Sequence, residues 1–445
     1  MIRTPALLLI LELGMAGAAA QGVGQSPYSA YGLGDLVPTG QATQALSSGT
    51  GLAITEPYSL IPGNPASYAF LARPVFEGAV TLRSTRSISA EASNAQLDGQ
   101  FMGFSVGVPF AQGKWGLGIG LAPYTDVGYA SSLADVVEGD PVTYAYSGSG
   151  GLDRAFLGLG TMLYQQRTDS VGNVGTRLAL GADFNFIFGS IEQTREAIRS
   201  HDDGYSNTRA FSSLFLAAPT ADASLLWQGD LTKKRTKDDA NWRWSIGLST
   251  ALPANFKARY SGMVASYTVL SGIETGRDTI EQTDGAKGRV EVPVQFGAGL
   301  GVQNARWAFS LELHQQDWSA TVIEVPGYPW GSTLRTALTY AAAARFRPGG
   351  EGGVFQRSVY RLGVKQGTAP QEVRGHGLQA TTISGGISIP LNAVQTNSWL
   401  HVGLEFGQRG TTEAGLLQER HAALWIGLAF TPWRGERWFT PAKIQ

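Results

Sequence analysis

The residues in this chain most able to move a proton or hold a metal are five histidines, His201, His314, His376, His401 and His421, and they stand far apart with no metal-ligand spacing. One of them opens the run His201-Asp202-Asp203, whose carboxylates could hold a cation. The run reads as a solvated loop instead. Serine, histidine and aspartate are all available for acyl transfer, but no local arrangement singles out a nucleophile. Cysteine is absent, which excludes disulfide scaffolds, thiolate metal sites and cysteine nucleophiles together. The spacings Gly116-x-Gly118-x-Gly120 and Gly297-x-Gly299-x-Gly301 look like a dinucleotide loop, yet they alternate with large apolar residues and no helix follows. The sequence therefore predicts no enzyme, no cofactor and no metal site.

Composition narrows the class further. Net charge is −1 with no basic block, so nucleic acid is not an expected partner. Only 16% of the residues are charged, 58 of the 445 are glycine, and mean hydropathy is near zero, a balance that fits neither a helical membrane protein nor a disordered chain. Arg3, the apolar run Ala6 to Leu13 and Ala18-Ala19-Ala20 form the three parts of a secretory signal peptide over residues 1–20. No later stretch has the length of apolar residues that a membrane-spanning helix needs.

The elements that could position any chemistry are strands. From Pro74 onward the pattern alternates with period 2: Met102, Phe104, Val106, Val108 and Phe110; Trp115, Leu117, Ile119 and Leu121; Phe296, Ala298, Leu300 and Val302; Leu400, Val402, Leu404 and Phe406; Ala422, Leu424, Ile426, Leu428 and Phe430. Between them stand glycines and small polar residues, with occasional charges at Asp183, Glu312, His314, Arg361, Lys365, His401 and Glu405. Strands that are apolar on one face and small or polar on the other predict an all-β, membrane-spanning antiparallel barrel with lipid outside. In lipid every backbone group must be paired, so the sheet has to close.

Candidate strands start near Pro74, Leu97, Lys114, Leu152, Asn173, Thr208, Asn241, Val290, Ala305, Thr333, Gln356, Leu378, Asn397 and Arg420, which makes about fourteen. Even parity requires residues 241–268 to be one strand with an irregularity at Pro253. The same parity makes Ala111 to Gly113, Val302 to Asn304 and Asn392 to Thr396 short periplasmic turns. It makes Ser131 to Gly150, Ile191 to Asn207, Glu274 to Gly288 and Thr321 to Gly331 long outer loops. Trp227, Trp242, Trp244, Trp425, Trp433, Trp438 and Phe439 read for the most part as an aromatic girdle at the membrane interface.

Residues 21–73 have a different texture. Their apolar residues follow no sustained period, and prolines 27, 38, 57, 62 and 65 interrupt any long element. Tyr28, Tyr31, Leu33, Leu36, Leu60 and Tyr68 are too many anchors for a solvated linker, so the segment is expected to be a compact plug in the lumen, these six residues lining or covering a hydrophobic ligand path. Asn64-Pro65-Ala66 is expected to form a tight turn that anchors the plug where the barrel begins. The division predicted is signal peptide 1–20, plug 21–73, barrel 74–431 and C-terminal tail 432–445.

The N-terminal segment ending in Asn64-Pro65-Ala66, the barrel of about fourteen strands and Trp-bounded strands such as Trp307 to Trp318 resemble the FadL-like (OMPP1/FadL/TodX-type) family of outer-membrane barrels. Ser26-Pro27-Tyr28-Ser29-Ala30-Tyr31-Gly32-Leu33-Gly34-Asp35-Leu36, with Gly403 to Gly410 and Trp438-Phe439, is similar to a Bacteroidota-type branch of these barrels. The resemblance implies a cell outer-membrane location and contact with outer-membrane lipid. It also implies passive uptake of hydrophobic small molecules or, alternatively, a non-transporting place among the subunits of an outer-membrane secretion or assembly complex. A fold shared by both roles does not choose between them.

Overall fold

The structure, a computed structural model, describes residues 26–38, 40–137, 139–167, 174–199, 206–231, 241–270, 273–329, 331–349, 352–391 and 398–432. The expected signal peptide, His201-Asp202-Asp203, the turn Asn392 to Thr396, most of the charged stretch 229–239, and Trp433, Trp438 and Phe439 lie outside the described residues.

Fourteen antiparallel strands close into a membrane-spanning barrel. In chain order they are β1 (Val75–Ile88), β2 (Ser93–Phe110), β3 (Trp115–Val137), β4 (Asp140–Arg167), β5 (Val174–Arg199), β6 (Asn207–Asp230), β7 (Arg243–Ala251 with Ala254–Leu270), β8 (Ile273–Val292 with Gln295–Gln303), β9 (Trp307–Asp317), β10 (Thr336–Phe346), β11 (Val359–Val373), β12 (His376–Pro390), β13 (Trp399–Gly410) and β14 (Gln418–Phe430). Each pairs with its chain neighbour, and β14 pairs with β1 from Gln418↔Ile88 to Phe430↔Phe76. The large alternating residues face out: Val80, Leu82, Phe101, Phe104, Leu300, Leu311, Leu404 and Phe406 are all exposed. Lipid is the solvent that such a belt fits.

Residues 243–270 behave as one strand, because Arg243–Ala251 and Ala254–Leu270 both pair with β6. The interruption at Leu252-Pro253 is matched on the adjoining strand by one at Pro293-Val294, and the pairs Ala254↔Val292 and Ala251↔Gln295 flank both. Proline has no N–H to give a ladder, so placing the two prolines side by side confines the defect to one spot. Leu252 recovers its bonds there, its N–H donating to the Ala221 carbonyl and its carbonyl accepting from Thr220 Oγ1.

Three of the expected outer loops are strand instead. Residues 131–137 and 140–150 continue β3 and β4 as a tight hairpin, β5 runs on to Arg199, and β8 starts at Ile273. Polar residues hid these extensions, since above the membrane a strand has no apolar face to reveal it. The barrel is consequently lopsided: β4 has 28 residues and β9 has 11. We call the end where β1 starts and β14 stops proximal, and the end with the extensions distal.

Aromatic side chains collect at the proximal rim. Trp227 meets Trp244 edge-on at 4.9 Å, Trp307 meets Phe346 at 4.2 Å, and Phe110, Trp115, Trp242, Phe309 and Tyr360 join them. Trp425 departs from the expected girdle, pointing inward and 1% exposed beside Leu46, Ala79 and Met102. Its odd number on β14 puts it on the opposite face from Leu424 and Ile426.

The β2–β3 ladder is the weak seam of the wall, running only from Phe110↔Trp115 to Phe104↔Leu121. Gly103, at φ +94°, sits where the β1–β2 register shifts by one residue, a bulge that re-aims β2 away from β3. Into the resulting gap the N-terminal segment sends Asp35–Leu36, paired antiparallel with Asp126 and Thr125 of β3.

Candidate functional site

Residues 26–73 lie against the inward face of strands all around the barrel, and the wall is built to receive them. A Cβ at Gly118 would come 2.6 Å from the Tyr68 ring, at Gly363 2.5 Å from the Ser47 carbonyl carbon, and at Gly386 2.8 Å from Leu46 Cδ1. At Gly116, Gly160, Gly181, Gly247 and Gly403 the crowding is as severe. The glycines that alternate with large apolar residues are thus the imprint of the luminal segment: only a residue without a side chain lets its backbone lie on the wall.

Polar groups fix the segment at every level. At the distal end the Tyr28 hydroxyl donates to the Leu417 carbonyl (2.6 Å) and accepts from the Leu417 N–H (2.9 Å). Arg409 of β13 reaches Asp35 (2.7 Å), Glu419 (2.8 Å) and Ser26 Oγ (2.6 Å), while Ser26 Oγ donates to Glu419 (2.7 Å). Deeper, Glu312 Oε1 accepts from the consecutive N–H groups of Gly51 (2.9 Å), Leu52 (2.8 Å) and Ala53 (3.4 Å). Glu56 bridges Arg345 (2.8 Å) and Arg361 (3.0 Å), and Glu77 accepts from Ser59 (2.8 Å) and the Leu60 N–H (2.7 Å). Burial alone would raise the Glu56 carboxyl, but the two guanidiniums overcome it and hold it down to about 2.

Asn64, Pro65 and Ala66 have distinct parts in this arrangement. Asn64 is buried and precedes a short 3-10 helix, Pro65–Phe70, and its side chain donates to the carbonyls of Gly51 (2.7 Å) and Leu52 (3.1 Å) within the segment itself. The Ala66 N–H donates to Ser224 Oγ of β6 (2.8 Å), and the Pro65 backbone lies on Gly160 and Gly181. Tyr68 is fully buried, its hydroxyl donating to Asp183 (3.1 Å). Tyr28, Leu33 and Leu60 are likewise packed into clusters with wall residues, Tyr31 is half-buried beside Tyr28, and Leu36 is exposed at the β2–β3 seam.

Two sizeable spaces lie beside the segment. A chamber of about 380 Å³ reaches from the seam at Leu36 and Met102 into the lumen and is ringed by Arg83, Asp126, Lys365, Glu405, Arg409 and His421. Arg83 and His421 both contact Glu405, at 3.3 and 3.1 Å. A distal vestibule of about 670 Å³ is lined by Tyr28, Tyr31, Tyr129, Tyr146 and Tyr328 with Arg195 and Arg374. Among the described residues one serine–histidine pair is hydrogen-bonded, His401 Nδ1 to Ser388 Oγ at 2.7 Å. Both side chains are buried, Arg361 also holds Ser388, and no described carboxylate bonds the other ring nitrogen, so it is a packing pair and not a nucleophile with its base. Among the described residues no cluster of histidine and acidic side chains could hold a metal.

The whole of the chain, residues 1–445, matches the family model named BamG. The chain belongs to the BamG family. No curated protein matches it. Among solved structures this BamG-family barrel is similar to a Pseudomonas aeruginosa FadL homologue, with TM-score 0.54 and 11% identity over 89% of this chain and 99% of that one. It is similar also to the CymD monoaromatic hydrocarbon channel, TM-score 0.52 and 11% identity over 91% and 100% of the two chains. A third is the Pseudomonas putida toluene transporter TodX, TM-score 0.52 and 12% identity over 89% and 98%. At such identity the likeness establishes a FadL-like fold. Ser26 to Leu36 and Gly403 to Gly410, separate in the chain, meet through Arg409 and through Tyr28, which packs against Gly410.

Among the anchors, Glu312, Asp183 and Arg361 were visible in the sequence as charges on a face of glycines, a sign of the lumen. Arg409, Glu77 and Glu56 carry no such mark, because only the fold brings them to their partners.

Proposed function

We propose that this protein is an exported barrel of a Gram-negative outer membrane, both barrel ends lying on the periplasmic side, whose residues 21–73 plug the lumen and which serves as a non-transporting subunit of a larger outer-membrane assembly. The observation that carries this reading is the continuous contact between the segment and wall glycines on β3, β4, β5, β7, β11 and β13. A transported molecule would have to displace backbone packed at van der Waals distance, break buried charge-assisted bonds at Glu312 and Glu56, and break the buried bonds that Ser59 and Leu60 donate to Glu77. The Bacteroidota-type words at the two ends belong to the same reading, since here they latch the plug to the wall.

The test is extraction in mild detergent followed by reconstitution. At least one other polypeptide should remain bound, and the purified barrel should give no steady ion conductance and no uptake of a fluorescent long-chain fatty acid. A strictly monomeric barrel that takes up the fatty acid overturns it.

One observation favours the second reading, passive uptake of hydrophobic small molecules. Beside the chamber the β2–β3 seam is closed by a short pairing, Asp35 to Val37, and the fold is that of proteins named as hydrocarbon channels. In that reading Tyr31 and Leu36 stand at the mouth of the path and Tyr28, Leu33, Leu60 and Tyr68 hold its floor. Uptake that appears only after Asp35-Leu36 is replaced by Gly-Gly would support it.

A further inference from the structure

Beyond the membrane the sheet of β3 to β8 stands free at the distal end, and a free sheet has two edges. Ala130 to Val136 of β3 are exposed on both faces, and so are Ile273 to Gln282 of β8. The two edges are built differently. The β8 edge carries Glu274, Arg277, Asp278, Glu281, Asp284 and Lys287, and its ladder to β7 is broken by three register shifts. Charges and bulges are the devices by which sheets blunt an edge against further pairing. The β3 edge, Ala130-Ser131-Ser132-Leu133-Ala134-Asp135-Val136, has one charge and no proline, and its register to β4 is regular from Thr125 to Val137.

The same β3 edge already accepts added strand. Val37 N–H donates to the Tyr124 carbonyl (3.0 Å), Asp35 pairs with Asp126, and Ser26 N–H donates to the Gly128 carbonyl (2.9 Å). These contacts fix which residues aim their backbone outward: the even-numbered ones, 124, 126 and 128, the odd ones facing β4. With no bulge beyond, Ala130, Ser132 and Ala134 continue that row, and among the described residues nothing pairs with them. At Val136 the N–H turns back to Asp135 Oδ1 (2.8 Å), closing the row. The open length from Ala130 to Ala134, four residue steps, is roughly 13 Å, and its five residues match a strand of common size.

We infer that the β3 edge from Ala130 to Ala134 docks an extended segment of a different polypeptide on the distal side, which adds antiparallel to the sheet and continues the pairing that Asp35–Leu36 begins. Main-chain bonds supply the attachment. Leu133 and Val136, 61% and 66% exposed and on opposite faces of the strand, supply one apolar neighbour on each face, so the partner strand carries an apolar residue on each face and no acidic residue beside Asp135. The inference rests on the subunit reading above and names the surface that reading requires.

The test compares the barrel extracted from its native membrane with partners attached and the same barrel stripped to the bare chain. Backbone hydrogen exchange over residues 130–136 is expected to be slower in the first by on the order of 100-fold. Ser132→Pro with Ala134→Pro removes two outward N–H groups that β4 does not use, so the barrel should assemble with the partner and the protection both lost. Ser132→Lys with Ala134→Lys blunts the edge without proline and should do the same. A partner that stays bound to both variants, with fast exchange at 130–136 throughout, overturns the edge and leaves the subunit reading standing. No partner at all overturns both. Protection in the bare barrel that disappears when residues 21–25 are deleted assigns the edge to the chain's own upstream segment, and a partner that proves to be a second copy also overturns the proposal.

Discussion

Replacing wall glycines with alanine tests whether the luminal segment and the wall were shaped for each other. Gly247 on β7 and Gly363 on β11 stand on different sides of the barrel and face inward. An alanine Cβ at Gly247 would lie 2.6 Å from the Leu52 carbonyl carbon, and one at Gly363 would lie 2.5 Å from the Ser47 carbonyl carbon and 2.7 Å from the Ser48 nitrogen, where ordinary contact begins at 3.4 Å. The Leu52 carbonyl oxygen would lie nearer still to the Gly247 Cβ, at 2.1 Å, so the segment must retreat by an ångström or so at either place, and because the neighbours are backbone no rotamer change can absorb the shift. Overpacking of this kind costs typically about 1–3 kcal/mol. That raises local opening of the segment about 5- to 150-fold. Gly78→Ala, on the outward face of β1, controls for the substitution itself: its nearest neighbour would be the Gly103 carbonyl at 3.6 Å, so no cost is expected. Hydrogen exchange separates the effects, with faster exchange over residues 41–71 in Gly247→Ala and Gly363→Ala and an unchanged wall ladder. If both variants protect the segment as well as Gly78→Ala does, the wall glycines are not an imprint and the sealed-lumen argument falls.

Three further outcomes follow from the anchors. Glu312→Ala leaves the N–H groups of Gly51, Leu52 and Ala53 without their shared acceptor, and should destabilise the segment by about 3 kcal/mol or more, read as protease sensitivity within 47–56; Glu312→Gln should recover part of this. Arg409→Met strands Asp35 and Glu419 and should release the distal latch, costing on the order of 3–5 kcal/mol locally and accelerating exchange at residues 26–37. Glu56 has a folded pKa of about 2 against an ordinary 4.5, so its contribution is complete above pH 4.5 and declines as pH falls toward 2. Exchange around residues 54–58 should therefore be flat from pH 7 to pH 5 after correction for intrinsic rates, rise below pH 4, and lose that rise in Glu56→Gln.

How much of this could be read beforehand depended on which solvent each residue meets. Where β-strands cross lipid, Leu300, Leu311, Leu404 and Phe406 must face out and small residues in, so the alternation announced the strands, and parity recovered the continuity through Pro253. Above the membrane that contrast vanishes. Ile273 to Gln282 is strand with both faces in water, and its run of charges reads as loop. The alternating glycines were noticed as spacing, but their meaning lay in backbone packed on them from another part of the chain, which no local pattern encodes. Arg409 illustrates the remainder most clearly. In sequence it is one arginine near the end of a strand, yet it meets Ser26 and Asp35 at a separation of more than 370 residues, so its role exists only once the barrel has closed. Closure itself is therefore what brings an unremarkable N-terminal segment to its distal partners. Asp35 and Leu36 can pair with β3 alone, but the strands that begin the barrel and those that end it must both be in place before Arg409 and Glu419 can hold Ser26 and Asp35, and this orders assembly: wall first, distal latch last. A segment that stays protease-sensitive at residues 26–37 until β13 and β14 have joined β1 is what that order requires, and protection there before closure would contradict it.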